Sequence, residues 1–333
     1  MLVFAWIKFV RGIVGNQFLV DELIVVFPVV LWLSMLWFIT SPIKNKFAWV
    51  SYRLRMDVLL LLLPLFGFWG IREVSEIYSN ESFFEIIEFL AVVMLILLLP
   101  IFIRLILSAK AMKDTSLLRL FQEVGTRAGV QHPNVLVWNT HGRMMNAFAI
   151  GSIFQRKTII LTDKLIHNLT QAELLSVVRH EFAHHKYWHL EFLGLAMLCS
   201  LIWTDVLFGV LHLSSSWYVQ VPQFIIVCIA IVVVSRKFER QADTYSVVDQ
   251  SKVDGSCTVT KNASSSMSSS LRTLADSHNI SIERGDPMHG SIHDRQKYLE
   301  SLVDCPIDSI PINRTVRRIK IGIVLMLVLG LAL

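Results

Sequence analysis

Long apolar runs alternate with polar stretches along the chain, and their lengths predict a protein that crosses a membrane several times. An α-helix needs about 20 apolar residues to span the hydrocarbon core of a bilayer. Five runs approach or reach that length, at 23–40, 57–71, 86–107, 190–213 and 217–234, and a shorter run ends the chain. We therefore expect five to six transmembrane helices, with the fourth and fifth forming a membrane hairpin.

The polar stretches divide the chain into three regions. Residues 1–107 form an N-terminal membrane region, residues 108–318 form a polar domain that the hairpin interrupts, and residues 319–333 form a hydrophobic tail or final span. The stretch before residue 20 is broken by charges and glycines, which is typical of an interfacial helix. The fold class that follows is a mainly α integral membrane protein with an α+β domain at one membrane face.

Within the polar domain, short β-branched runs predict strands at Val135–Trp138 and Thr158–Leu161, which flank a middle strand at Asn146–Ala149. The serine-rich stretch 249–270 predicts a flexible loop. Residues 286–303 are expected to carry a turn followed by a helix.

Composition agrees with a membrane location. Hydrophobic residues make up 54% of the chain, charged residues only 17%, and the mean hydropathy is +0.56. The net charge of +5 is modest, and the basic residues cluster beside apolar runs, which points to the membrane surface rather than to nucleic acid. The four cysteines have neither metal-site nor disulfide spacing.

Charge asymmetry between the loops predicts the orientation. The segment 41–56 carries four basic residues and no acid, whereas the next loop, 72–85, is rich in glutamate. Because basic loops stay in the cytoplasm, alternation of the runs places the polar domain at the cytoplasmic face.

The candidate chemistry lies on one capped helix. Thr170 and Glu173 form a capping box that begins the helix, and the sequence H-E-x-x-H follows two to three turns later. His180 and His184 are one turn apart and can hold one zinc ion, while Glu181 can reach a water beside it. The bland alternative is a pair of solvated or core histidines, since the motif also occurs by chance.

A third ligand is expected from the far end of the hairpin, which returns the chain to the same membrane face. Glu239 can complete a site of two histidines and one glutamate. Asp243, one turn later, can accept a hydrogen bond from the far nitrogen of a ligand histidine. On spacing alone, Glu239 is equally well explained as a solvated partner of Arg236 or Arg240.

Two further histidines, His185 and His189, are also one turn apart. Lys186 stands where a catalytic acid would be, and on a continuous helix their face is rotated from the metal. We interpret both as surface or interface residues.

These motifs together resemble the integral-membrane gluzincins, the family of the type I CaaX prenyl protease and the bacterial stress protease HtpX. The resemblance covers about 135–302 and rests on H-E-x-x-H at His180, the pair Glu239 and Asp243, the strand Asn146, Ala147, Phe148 and Ala149, and the segment from His289 to Arg295. Gly290 stands where the family usually has proline, and the number of spans also differs, since the prenyl proteases have seven and HtpX has four.

The resemblance implies roles for the last two motifs. The strand at Asn146–Ala149 would be an edge strand that binds the extended substrate backbone. His289 and Arg295 would lie near the active site, bind substrate and stabilise the oxyanion. The alternatives are that Asn146 is a turn residue, His289 a surface histidine and Arg295 a structural salt-bridge partner.

The resulting hypothesis is a zinc-dependent endopeptidase with one zinc ion per chain. Its partners would be the lipid bilayer and membrane protein or lipidated peptide substrates; the natural substrate, the cleavage rule and the oligomeric state do not follow from the sequence. One alternative is a sensor protease that cleaves a single partner. Another is an inactive membrane scaffold, against which the intact Glu181 argues.

Overall fold

The computed structural model describes residues 20–41, 45–59, 101–151, 156–211 and 217–332, together with isolated positions between residues 6 and 98. The chain divides into two compact units, 1–108 and 109–333.

The first unit begins with α1 (Val20–Ile39), a strongly apolar helix with Pro28 inside it. Helix α2 (Lys46–Arg53) follows and passes into a π-helical segment at Leu54–Leu59. Residues 101–107 are again helical. Most of the predicted interfacial helix, and most of the runs at 57–71 and 86–107, lie outside the described residues.

A four-stranded sheet opens the second unit. Its strands are β1 (Lys110–Ala111), β2 (Asn134–Trp138), β3 (Ala147–Ile150) and β4 (Thr158–Thr162), in the order β1-β2-β4-β3. Strand β4 runs parallel to β2 and antiparallel to β3. The expectation that the strands near 135 and 158 flank the strand at Asn146–Ala149 was wrong for the sheet, because β4 is buried along its whole length between β2 and β3. The edge position of β3 agrees with the edge strand that the family resemblance implies.

Eight helices of the second unit are named here in chain order. They are α3 (Thr115–Arg127), α4 (Asp163–Asn168), α5 (Gln171–Lys186), α6 (His189–Val210), α7 (Trp217–Val253), α8 (Lys261–Ser277), α9 (Ile292–Ser301) and α10 (Ile312–Ala332). Side-chain caps begin several of them: Asp114 caps α3, Thr162 caps α4, Thr260 caps α8 and Ser291 caps α9.

Three helical segments in the described part of the chain are long and apolar enough to cross a membrane. They are Glu22–Ile39, His189–Val210 and Val221–Val253. The last two correspond to the predicted hairpin, although its serine turn at 214–216 is outside the described residues. The predicted tail is the C-terminal part of α10, which packs against α6 and α7.

The first core of this unit lies between the sheet and the helices α3 and α5. Phe121 and Val124 from α3 and Phe182 from α5 are almost fully buried with Ile159 and Leu161 of β4. Gly125 permits this packing, because a Cβ there would lie 2.9 Å from the Phe182 ring and 2.6 Å from Pro133. The helix that carries H-E-x-x-H therefore rests on a packed sheet.

A second core joins α7, α8, α9 and α10, and it overturns the predicted loop at 249–270. Helix α7 continues to Val253, and α8 begins at Lys261. The apolar residues Ala263, Met267, Leu271 and Ala275 recur every four positions and are all buried. Apolar residues four apart form one helix face. The spacing of these apolar residues therefore predicts the helix, despite the high serine content of the stretch.

A break separates the motif helix α5 from the membrane helix α6. Trp188 adopts a left-handed conformation with a φ of 57°, and α6 starts at the next residue. A non-glycine residue rarely adopts this conformation. The sequence suggested one continuous helix, so the direction of His189 was predicted incorrectly.

Candidate metal centre

The motif helix begins as the sequence predicts. The Thr170 hydroxyl accepts a hydrogen bond from the Glu173 amide, and the Glu173 carboxylate accepts one from the Thr170 amide at 2.9 Å. Glu173 also accepts a hydrogen bond from Ser269, which ties α5 to α8. The helix start is thus fixed from two sides, two turns before His180.

Helix α7 carries Glu239 to the histidines of α5. The Nε2 atoms of His180 and His184 are 3.2 Å apart. Glu239 Oε2 lies 3.4 Å from His180 Nε2, and Glu239 Oε1 lies 3.5 Å from His184 Nε2. One donor atom from each residue therefore falls within 4.8 Å of the others, and the two histidines point the same ring nitrogen at the common centre.

Asp243 and Arg295 lie behind this cluster. Asp243 Oδ1 is 2.9 Å from His180 Nδ1, the nitrogen turned away from the centre. Arg295 donates to both Asp243 oxygens, at 2.6 and 2.8 Å, and its Nη2 is 3.5 Å from Glu239 Oε2. A bidentate arginine–carboxylate pair is strong and directional, so Arg295 holds Asp243 in place.

The two carboxylates of the cluster favour a positive charge on the His180 imidazole. Burial alone would lower the pKa of the His180 imidazole, but Asp243 and Glu239 outweigh burial and raise this pKa to about 10. For His184 burial dominates and lowers the pKa to about 3. A cation at the centre would replace the proton on His180, as ligand deprotonation requires.

Glu181 is buried next to the cluster. Burial raises the pKa of its carboxyl group to about 7, with His180 opposing the increase. The Ala149 backbone amide also hydrogen-bonds this carboxylate and opposes the increase. A carboxyl group with a pKa close to neutrality can both accept and return a proton.

A cavity of about 260 Å³ opens over these residues. Asn146 and the β3 residues Ala147, Phe148 and Ala149 line one side of it, and Met267, Leu271 and Leu274 of α8 form an apolar wall. Among the described residues β3 pairs with β4 alone, so its other edge borders the cavity. The Asn146 amide and carbonyl bond to Thr162, which fixes the start of the strand.

His289 lies at the rim of this cavity. Its side chain is 56% exposed, and its Nδ1 is 3.0 Å from Asp286 Oδ1. Gly290 closes the tight turn from Asp286 with a φ of 79°. Proline cannot adopt that angle. The backbone of this turn therefore requires a residue other than the proline expected from the family resemblance.

Of the two interpretations of His185 and His189, surface or interface residues, the surface one was wrong, since each is only 2% exposed and contacts a neighbouring element. His185 Nε2 lies 3.0 Å from the Thr158 carbonyl oxygen. His189 Nδ1 lies 3.1 Å from His184 Nδ1, and its Nε2 lies 2.9 Å from Gln241 Oε1. Sequence reasoning missed the contacts of His189 with His184 and Gln241, because His189 reaches them only when the helix breaks at Trp188.

The donors fit a catalytic zinc ion. Two imidazole nitrogens and one carboxylate are a common donor set of such ions, which keep one further position open. The nitrogens are buried and point at one centre, and the second ring nitrogens of His180 and His184 lie 2.9 Å from Asp243 Oδ1 and 3.1 Å from His189 Nδ1. Such partners are usual for metal-binding histidines.

Comparison with known proteins agrees with this geometry. Residues 111–284, just over half of the chain, match the model described as Peptidase family M48. A protein named Protease HtpX homolog from Archaeoglobus fulgidus is 28% identical over 151 residues, which are 45% of this chain and 43% of that protein. The CAAX prenyl protease 1 homolog of Dictyostelium discoideum is 32% identical over 124 residues, covering 31% and 29% of the two chains. The matched segment thus spans less than half of either relative.

The fold resembles a solved structure. The crystal structure of S. mikatae Ste24p aligns with a TM-score of 0.55 over 90% of this chain and 81% of that one, at 16% sequence identity. At this identity the likeness concerns the fold alone, and it agrees with an integral membrane protein.

Proposed function

Because the chain belongs to peptidase family M48, a family of metalloproteases, we propose that it is a membrane-embedded zinc endopeptidase. The observation that carries the proposal is the convergence of His180, His184 and Glu239 donors within 4.8 Å, with the buried Glu181 beside them. When bound by these three residues, zinc would supply a Lewis acid that polarises a peptide carbonyl and makes water more acidic.

The residues of the chain would carry out proton transfer, ligand orientation and substrate binding. Glu181 takes a proton from the attacking water and delivers it to the leaving amine as the peptide C–N bond breaks. Asp243 orients His180. The edge of β3 pairs with the extended substrate backbone, as exposed strand edges do. The apolar wall of α8 faces that backbone and favours apolar side chains in the substrate.

His289 and Arg295 take different roles in this proposal. His289 is partly exposed at the cavity rim, where it can bind substrate or donate to the oxyanion. Arg295 is engaged by Asp243 and Glu239, so we assign it to positioning these carboxylates and balancing their charge.

The substrates would be membrane proteins or lipidated peptides cleaved at the cytoplasmic face. Two observations support this. Glu239 of the centre lies on α7, the same helix that forms an apolar span, and Arg236 and Lys237 lie just after the apolar part of that helix. Basic residues at the end of a span favour the cytoplasmic side.

The test uses the full chain purified in detergent. We expect about one zinc per chain and metal-dependent cleavage of casein that a chelator abolishes and added zinc restores. Glu181→Gln removes the proton acceptor and should lower the cleavage rate by about 10²–10⁴-fold while zinc remains bound. Glu123→Gln, at an exposed position on α3, is the matched control.

His184→Ala removes a ligand and should lose zinc as well as activity. Normal turnover by Glu181→Gln would exclude this residue from the mechanism. A full zinc content in purified His184→Ala would exclude the proposed ligand set.

A further inference from the structure

The ring of His184 has contacts on both sides. Its Nε2 faces His180 Nε2 at 3.2 Å and Glu239 Oε1 at 3.5 Å. Its Nδ1 lies 3.1 Å from Nδ1 of His189. Whether His184 can offer a lone pair at Nε2 therefore depends on which of the two facing Nδ1 atoms carries the hydrogen.

The contacts of His189 decide this. Its Nε2 is 2.9 Å from Gln241 Oε1, and an amide oxygen can only accept, so Nε2 must carry the hydrogen. In the neutral ring Nδ1 is then an acceptor. His184 donates from Nδ1 to His189, which leaves the lone pair of His184 on Nε2. The orientation of Gln241 is set in turn, because its Nε2 donates to Asn313 Oδ1 at 2.8 Å.

Packing prevents His189 from turning away. Its ring stacks on Phe238 with centroids 4.4 Å apart and planes 6° apart, and the Tyr187 ring stacks at 5.8 Å. The left-handed Trp188 brings the side chain to this position at the first residue of α6. The ring is thus held by shape as well as by hydrogen bonds.

The two candidate ligands differ in the charge of their partners. His180 has the carboxylate of Asp243, whereas His184 has a neutral imidazole followed by two neutral amides. The second arrangement fixes a ring without adding another negative charge to the buried centre. This chain of hydrogen bonds ends at Asn313 of α10, a helix outside the segment 111–284 that matches the family model.

We propose that His189, oriented by Gln241 and Asn313, is a positioning residue that holds His184 in the form that binds metal through Nε2. The inference rests on the proposed function, because it needs His184 to be a metal ligand. It assigns the C-terminal helix α10 a part in the metal centre.

The decisive substitution is His189→Phe in the full-length, detergent-solubilised protein. Phenylalanine keeps the ring and its stacking on Phe238 but removes the acceptor. Loss of such a partner typically lowers metal affinity about 10–100-fold, and we expect this loss in competition with a chelator. The visible spectrum of the cobalt-loaded variant should also change, because the His184 ring is no longer fixed. The Tm of the metal-free protein should stay close to that of the wild type.

A second substitution, His189→Asn, places an amide oxygen near the position of Nδ1 and should restore part of the affinity. Asn313→Leu, at the far end of the chain of contacts, should give a smaller loss in the same direction. His132→Phe, at an exposed position, is the control for loss of a histidine.

The outcomes separate the two proposals. A wild-type protein that binds no zinc would refute the proposed function before His189 is tested. If the wild type binds zinc and His189→Phe has the same affinity and the same cobalt spectrum, the positioning role is overturned and the proposed function stands. Equal losses in His189→Phe and His189→Asn, with a matching fall in the metal-free Tm, would also overturn it, because only packing would then be at work.

Discussion

Asp163 controls the path of the chain towards the cavity. Its Oδ1 accepts hydrogen bonds from the Thr140 hydroxyl at 2.6 Å and the Thr140 amide at 2.8 Å, and its Oδ2 accepts one from the Gly142 amide at 2.8 Å. These bonds hold the connection between β2 and β3 against the start of α4. Burial alone would raise the pKa of this carboxyl group, but the hydrogen bonds outweigh burial and keep the pKa below its ordinary value.

The lowered pKa of Asp163 gives a dependence of stability on pH. A carboxylate whose pKa is lower in the folded state stabilises the fold above the unfolded pKa of about 3.9, and this contribution is lost as the pH falls through the folded pKa. Asp163→Asn should therefore lower the Tm at pH 7, and the difference from the wild type should shrink below about pH 4. Thermal unfolding in detergent at several pH values measures this.

Asp308→Asn removes the same charge at an exposed position and serves as the control. A Tm difference for Asp163→Asn that is constant from pH 7 to the acid range would contradict the assignment.

Residues that are close in sequence could be predicted, and residues brought together by tertiary structure mostly could not. The spacing of His180, Glu181 and His184 follows from helix geometry alone. Glu239 could be associated with them only because two apolar runs of similar length predict a hairpin. His189 was missed because the left-handed Trp188 is imposed by packing, and no local pattern in the sequence predicts it.

At the level of elements, a buried charge network joins α3, α5 and α7. Arg179 of α5 is 3% exposed and donates from Nε to Asp249 of α7 at 3.0 Å. Arg127 of α3 reaches the same carboxylate at 3.1 Å, but its side chain is 37% exposed. Asp249 thus compensates the buried charge of Arg179, and Arg127 adds a contact at the surface.

Asp249→Asn should destabilise the fold strongly, because it leaves the guanidinium of Arg179 buried without a counter-charge. Breaking such a pair typically costs about 3–5 kcal/mol. Arg127→Gln, the matched control, should cost about 0–1 kcal/mol, as partly exposed pairs do. Denaturant unfolding of the two variants compares them directly, and equal losses would contradict this account of the network.

The prediction of elements succeeded where local signals agree. The capping box at Thr170 and the strands near 135 and 158 follow from short patterns, and the structure confirms them. The order of the strands depends on which neighbours bury them, so local patterns did not place β3 in the sheet, and its edge position was expected only from the family resemblance. The first part of helix α8, up to residue 270, was mistaken for a loop because serine content was given more weight than the four-residue recurrence of its apolar side chains.

At the scale of the second unit, α10 packs closely along α6. A Cβ at Gly330 would lie 2.8 Å from Ile202 Cγ2, and Trp203 Nε1 donates to the Met326 carbonyl at 2.9 Å. Small residues allow membrane helices to approach each other in this way. This contact helps to hold α10 along α6.

Gly330→Leu should separate the two helices and destabilise the unit. Overpacking of this kind costs about 1–3 kcal/mol, which corresponds to a fall in Tm on the order of several degrees for a chain of this size. Gly322→Leu lies on the same helix where a Cβ meets nothing within 4 Å, and it should change the Tm little. Similar falls for both variants would show that the helix, and not this contact, is sensitive to leucine.

For the whole chain, run length predicted membrane helices, and three such segments occur among the described residues. The runs at 57–71 and 86–107 lie mostly outside these residues, so the number of spans stays a prediction. The cytoplasmic orientation, which was inferred from loop charges, likewise stays a prediction.

The 37 residues of α7 form one uninterrupted helix about 55 Å long, whereas the hydrocarbon core of a bilayer is about 30 Å thick. Glu239 follows the apolar run that ends at Val234 by five residues, or about 7.5 Å of helix. If the proposed function is correct, the helix would act as a fixed spacer between the lipid and the proposed metal ligands. A peptide bond close to the bilayer surface would then meet the centre directly, and a bond far out in a soluble domain would reach it only if its polypeptide looped back towards the lipid.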